Sequence, residues 1–174
     1  MKKILFLDID GVLVTMDSLC NSASGRAAAF CIDAVDNLNK LIEETEAKVV
    51  VSSTWRIGVA KCEMQQELNK RGVNCEVVDF TPQTFGRHRS REIGSWLDEE
   101  NDIHYVILDD DLGPSYNPFF GHRAVVTSMA GGFDEDSLEE ALRLFAKCDD
   151  GICDCISGEE LRGKIQVYQE DRYE

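Results

Sequence analysis

The chain has 174 residues, 43% hydrophobic and 29% charged, and its 18 basic against 33 acidic side chains give a formal charge of −15. That length suits one domain with a core of its own, and no window approaches the about 18 consecutive apolar residues that a spanning helix needs. A field of that sign repels polyanions, so no extended nucleic-acid groove is expected, although a local cationic pocket can still hold one phosphate.

The start, "MKKILFLDID", carries a basic pair, but too few apolar residues precede Asp8 for a secretory leader, and a cytoplasmic protein is the expectation. Ile4–Leu7 reads as a buried strand that runs at once into Asp8, Ile9, Asp10 and Gly11. Residues 14–29, small and polar, read as a loop or short flap. Ala34, Val35, Leu38, Leu41 and Ile42 then follow the spacing of an amphipathic helix. Val49–Val51 is a second strand ending in Ser52, Ser53 and Thr54, and Val59 to Leu68 carries another helix.

Val73–Val78 reads as a third strand, followed by a locally basic loop from Asp79 to Ser90, "DFTPQTFGRHRS". Ile93, Trp96 and Leu97 mark a helix, and Tyr105–Leu108 a fourth strand ending in Asp109, Asp110 and Asp111. Ala124–Thr127 is a fifth strand, and Leu138, Ala141, Leu142 and Phe145 lie on a last helix. Strands alternating with helices predict βαβ units, a mainly parallel sheet of about five strands, and an α/β fold. Residues 1–147 form the expected domain, and 148–174 an acidic, peripheral extension.

Seven cysteines, an odd and scattered count, do not suggest a disulfide framework. Cys31 and Cys62 fall in helical patterns and read as small core residues. Cys148, Cys153 and Cys155 match no common zinc spacing and read as free thiols on a tail.

Ligands of open α/β sheets bind outside the carboxyl ends of the strands. There Asp8, Asp10, Asp109 and Asp110 would converge, and their repulsion in a cleft calls for a divalent cation. All-oxygen ligands without clustered histidine favour Mg²⁺ over zinc. Ser52 can donate to an anion, and the cluster Arg87, His88, Arg89 and Arg91 offers guanidinium groups to clamp a phosphate. Charge neutralisation and positioning of that kind are what phosphoryl transfer requires. Trp55 and Trp96 read as core or pocket wall, and His104 and His122 as structural or exposed. Arg56 either reaches a substrate or pairs with an acidic strand end.

"LDIDGVL", "VVVSS" and "VILDD", in that order and separation, resemble the first, second and fourth motifs of the haloacid dehalogenase-like (HAD) phosphohydrolase superfamily, over residues 1 to about 128 and the last helix. "SSTWR" and "RSREIGSWL" further resemble a compact subgroup, some of whose members are fused to RNA-repair enzymes. The resemblance implies a Rossmann-like three-layer α/β/α sandwich and a Mg²⁺-dependent phosphatase. Asp8 would be the nucleophile that becomes an aspartyl-phosphate, and Asp10 the general acid and then base. Ser52, with Ser53 as the alternative, would hold the phosphoryl oxygens. Asp109 and Asp110 would hold Mg²⁺ beside Asp8 and the backbone carbonyl of Asp10.

The superfamily usually offers lysine as its third motif. None lies between Arg71 and Asp109, so arginine must serve: Arg89, with Arg87 and Arg91 behind it. Aspartate two positions after the nucleophile implies phosphatases or phosphomutases. The short stretch between Asp10 and Cys31 implies minimal or no cap and an open site, of the kind that suits a bulky substrate. The expected partner is therefore a phosphorylated substrate, either a small molecule or a 3′ or 5′ nucleic-acid end, and no membrane. A phosphomutase and a non-catalytic regulatory module are the rival expectations.

Overall fold

The computed structural model describes residues 2–20, 29–84, 89–99, 102–111, 120–149 and 160. Its centre is a five-stranded, all-parallel sheet of β1 (Lys2–Leu7), β2 (Lys48–Val51), β3 (Val77–Phe80), β4 (Ile103–Asp109) and β5 (Ala124–Val126), in the order β3-β2-β1-β4-β5. Around it lie α1 (Met16–Cys20), α2 (Ile32–Thr45), α3 (Lys61–Lys70), α4 (Arg89–Leu97) and α5 (Glu135–Asp149). This is the expected Rossmann-like α/β arrangement.

Side chains alternate across a strand, so each apolar run feeds two cores. Leu5 and Leu7, with Val49, Val51, Val106 and Leu108, pack against Leu38 and Leu41 of α2, Met64 and Leu68 of α3, and Ala141 and Phe145 of α5. Ile4 and Phe6, with Val50, Tyr105 and Ile107, pack against Ile93, Trp96 and Leu97 of α4. Phe6 meets Trp96 edge-on, with ring centroids 5.4 Å apart, a favoured aromatic geometry. None of the described helices is long and apolar enough to cross a membrane.

Three local expectations need correction. The third strand is Val77–Phe80, not Val73–Val78. Val73 is a fully buried plug behind the turn after α3, its N–H given to the Leu68 carbonyl, so apolar character there reflects burial and not pairing. Asp79 and Phe80, read as loop, belong to the strand, whereas 81–84 are loop and Arg89 opens α4. Cys62 is exposed on α3 instead of buried, while Cys31 is partly buried just before α2. The expected flap contains α1, with residues 21–28 outside the described residues. Also outside them lie Arg87, His88, Cys153, Cys155 and nearly all of the 148–174 extension.

Candidate active site

Parallel register levels the strand ends. Leu7 lies opposite both Val51 and Leu108, so the residues that follow, Asp8, Ser52 and Asp109, stand side by side at the carboxyl edge. Backbone bonds carry the ladder one step past the assigned strands. Asp8 N–H donates to the Leu108 carbonyl (3.0 Å), and Ser52 N–H to the Leu7 carbonyl (2.9 Å). The apolar runs thus end in polar residues held as rigidly as the sheet itself.

Asp8 is 5% and Asp109 1% exposed. One nitrogen of Arg89, Nη1, bridges them, 2.9 Å from Asp8 Oδ2 and 2.6 Å from Asp109 Oδ2. Asp8 Oδ1 accepts the Ile9 N–H (2.7 Å), and Asp109 Oδ1 the Asp111 N–H (3.0 Å). One carboxylate oxygen from each of Asp8, Asp109 and Asp110 lies within 4.8 Å of the others.

The electrostatics show a surplus of negative charge. Burial pushes the Asp109 carboxyl up to about 7, against the pull of Arg89 and with Asp8 and Asp110 adding to it. Asp110 is raised chiefly by burial and then by Asp8. Three converging oxygens, all hard donors, two of them on carboxyls raised by burial and by their neighbours, fit a divalent cation such as Mg²⁺.

Asp10 behaves differently. Gly11 adopts φ +73° and bends the chain, its N–H given to the Val14 carbonyl and its own carbonyl accepting from Thr127 Oγ1 (2.7 Å). The bend leaves the Asp10 carboxylate outside the three-oxygen cluster, with Oδ2 accepting the indole N–H of Trp55 at 3.0 Å. Its acidity is lowered mainly by burial, which the Trp55 bond opposes, and further by nearby Asp8.

The two serines separate. Ser53 caps the 3₁₀ turn Thr54–Arg56, its Oγ accepting the Trp55 N–H. Ser52 is fully buried, and its hydroxyl has no protein partner. A buried hydroxyl left unmatched is costly, and this one lies at the carboxyl edge beside Asp8 and Asp109.

Of the three arginines weighed, Arg89 is in the site, Arg91 is exposed, and Arg87 lies outside the described residues. His104 is buried within β4, and His122 is exposed. Arg56 takes neither expected role. It is 4% exposed and pairs with Glu92 of α4 (2.7 Å), not with a strand-end aspartate. It also donates to the carbonyls of Thr81 (2.8 Å), Ser52 (2.7 Å) and Ser53 (2.8 Å). Sequence reading missed three contributors: Trp55 as partner of Asp10, Thr127 as anchor of the Gly11 turn, and Glu92 as counter-ion of Arg56. No local signal pointed to any of them, because the three contacts span 45, 116 and 36 residues.

Residues 4–138, well over half of the chain, match a family model described as the HAD domain in Swiss Army Knife RNA repair proteins. No curated protein and no solved structure gives a significant match.

Proposed function

Because this chain belongs to the family of HAD domains in Swiss Army Knife RNA repair proteins, a family whose chemistry is of the hydrolase or phosphatase type, we propose that it hydrolyses a phosphate monoester with Mg²⁺ through an aspartyl-phosphate on Asp8. The observation that carries this reading is the cluster of Asp8, Asp109 and Asp110, with Arg89 bridging the first and second. A structural ion pair needs one carboxylate per guanidinium; three within 4.8 Å leave a surplus of charge that a cation and a transferring phosphoryl group can use.

Asp8, Asp109, Asp110 and the backbone carbonyl of Asp10 would hold the Mg²⁺, which when bound neutralises phosphoryl oxygens and lowers repulsion toward the attacking carboxylate. The Asp8 carboxylate attacks phosphorus. The P–O bond to the leaving group breaks, its electron pair stays on the ester oxygen, and Asp10 supplies the proton. Ser52 Oγ donates to a phosphoryl oxygen, and the Arg89 guanidinium holds another. Water then attacks the aspartyl-phosphate and gives its proton to Asp10, which releases inorganic phosphate and restores Asp8.

The family's association with RNA repair favours a phosphorylated polynucleotide end as substrate, and the formal charge of −15 restricts contact to the terminal phosphate and its nearest nucleotides. The test is phosphate release with Mg²⁺ from a panel of small phosphate esters and 3′- and 5′-phosphorylated RNA and DNA oligonucleotides, beside Asp8→Asn. Asp8-dependent release is expected, highest on an oligonucleotide end. No Asp8-dependent release from any ester refutes the phosphatase reading, and a requirement for a bisphosphate activator would mark a phosphomutase instead.

A further inference from the structure

We propose that Trp55 is a positioning residue for Asp10, its indole N–H claiming Oδ2 so that Oδ1 is the oxygen that carries the transferable proton. The inference rests on the phosphatase reading and adds to it an atom and a residue.

An indole has one N–H and no acceptor. Its 3.0 Å bond to Asp10 Oδ2 is strongest when that oxygen is the carbonyl of the protonated acid, the better acceptor of the two. In the protonated acid the hydrogen therefore sits on Oδ1, and the carboxyl cannot exchange its two oxygens by rotation without breaking the bond. Asp10 needs such a guide: it is more exposed than Asp8 and Asp109 and stands just before the Gly11 bend, past the end of β1.

The guide itself is held from several sides. Trp55 is 6% exposed and packs against Phe30, with centroids 5.9 Å apart. The Arg71 guanidinium lies over both rings, 4.7 Å from the Phe30 centroid and 5.3 Å from that of Trp55, within cation–π range. Arg56 ties the same turn to the carbonyls of Ser52, Ser53, Thr81 and Pro82 and to Glu92. The ring is thereby held in place while its one N–H is spent on Asp10 Oδ2.

In the first half-reaction, Oδ1–H passes its proton to the departing ester oxygen as the P–O bond breaks. In the second, Oδ1 takes the proton of the attacking water. Only the first step enters kcat/KM when aspartyl-phosphate formation is irreversible, and only a poor leaving group needs the proton. The assignment is therefore tested by comparing kcat/KM on an alkyl phosphate with that on p-nitrophenyl phosphate, for the parent and Trp55→Phe.

Trp55→Phe is expected to lose about tenfold to a hundredfold on the alkyl ester and less than about threefold on the aryl ester, since general acid catalysis contributes about 10²–10⁴-fold. Equal losses on both esters, or none on either, overturn the assignment, because a packing role does not sense the leaving group. If Trp55→Phe melts early, benzothienylalanine at position 55 keeps the bicyclic shape without the N–H and must show the same selective loss. Absence of Asp8-dependent release by the parent from every ester of the wider panel, oligonucleotide ends included, refutes the phosphatase reading itself, and this assignment with it.

Discussion

Gly11→Ala isolates the link between the turn after β1 and the carboxylate cluster. A Cβ at Gly11 would overlap the Asp110 side chain, and φ there is +73°. Gly58 has the same φ of +73° with nothing within 4 Å of its added Cβ, so Gly58→Ala reports the backbone cost alone. That cost is about 1–2 kcal/mol for a non-glycine residue in the left-handed region. Gly11→Ala carries the same penalty and also forces Asp110 aside, removing one of three oxygens from the metal set. If affinity for Mg²⁺ falls tenfold, the stabilisation by Mg²⁺ at 100 times the parent's dissociation constant drops from about 2.7 to about 1.4 kcal/mol. For a chain of this size that is about 3–5 °C less Mg²⁺-induced rise in Tm. Thermal melts with and without Mg²⁺ read all three proteins. Gly58→Ala should keep the parent's rise and Gly11→Ala should lose about half. A full rise in Gly11→Ala refutes Asp110 as a ligand packed on Gly11.

Two further outcomes are expected. In the metal-free protein the Asp109 carboxyl titrates near 7, above its ordinary 3.8, with Asp10 and Asp110 raised in the same sense. These carboxyls then hold more protons in the native state than in the unfolded chain between those values, so their contribution to stability is greatest below pH about 4 and falls as pH rises through 7. Urea denaturation of the metal-free protein across that range should show a steeper fall in the parent than in Asp109→Asn; equal slopes in the two contradict the raised Asp109 carboxyl. Ser52→Ala should leave the urea midpoint nearly unchanged, because its hydroxyl has no protein partner, yet raise KM for phosphate esters. Ser53→Ala should instead cost about 0.5–2 kcal/mol as a lost cap, and an unchanged KM in Ser52→Ala would remove it from the phosphate site.

What was legible in the sequence follows the range of the forces involved. β1, β2 and β4 could be read because parallel strands covered on both faces are continuous apolar runs, and "KVVV" and "YVIL" have no helical alternative at that length. The acidic strand ends were legible for the same reason, as abrupt polar residues closing such runs. Val73 misled because burial and strand pairing share one composition: it fills the core from a turn, and pairing starts only at Val77, whose N–H goes to Gln65 Oε1. Nor could position along the chain disclose Arg56–Glu92, separated by 36 residues, or Thr127–Gly11, separated by 116. Both depend on which strand ends become neighbours.

These long-range contacts explain why a buried ion pair sits so near the site. Removing two charges from water is costly, and an apolar pair of the same shape would often be no less stable. Arg56, however, spends its donors on the carbonyls of Ser52, Ser53 and Thr81 as well as on Glu92, joining the ends of β2 and β3 to α4. Its buried neighbours in "SSTWR" then have distinct tasks: Ser52 has an unmatched hydroxyl, Ser53 closes the turn, and Trp55 reaches Asp10. From the other end of the same helix contact, α4 delivers Arg89 to Asp8 and Asp109 only three residues before Glu92. The pair thus fixes the spacing between the turn after β2 and the Arg89 guanidinium. Stability spent on Arg56 and Glu92 is returned as geometry, which an apolar substitute at those two positions cannot supply.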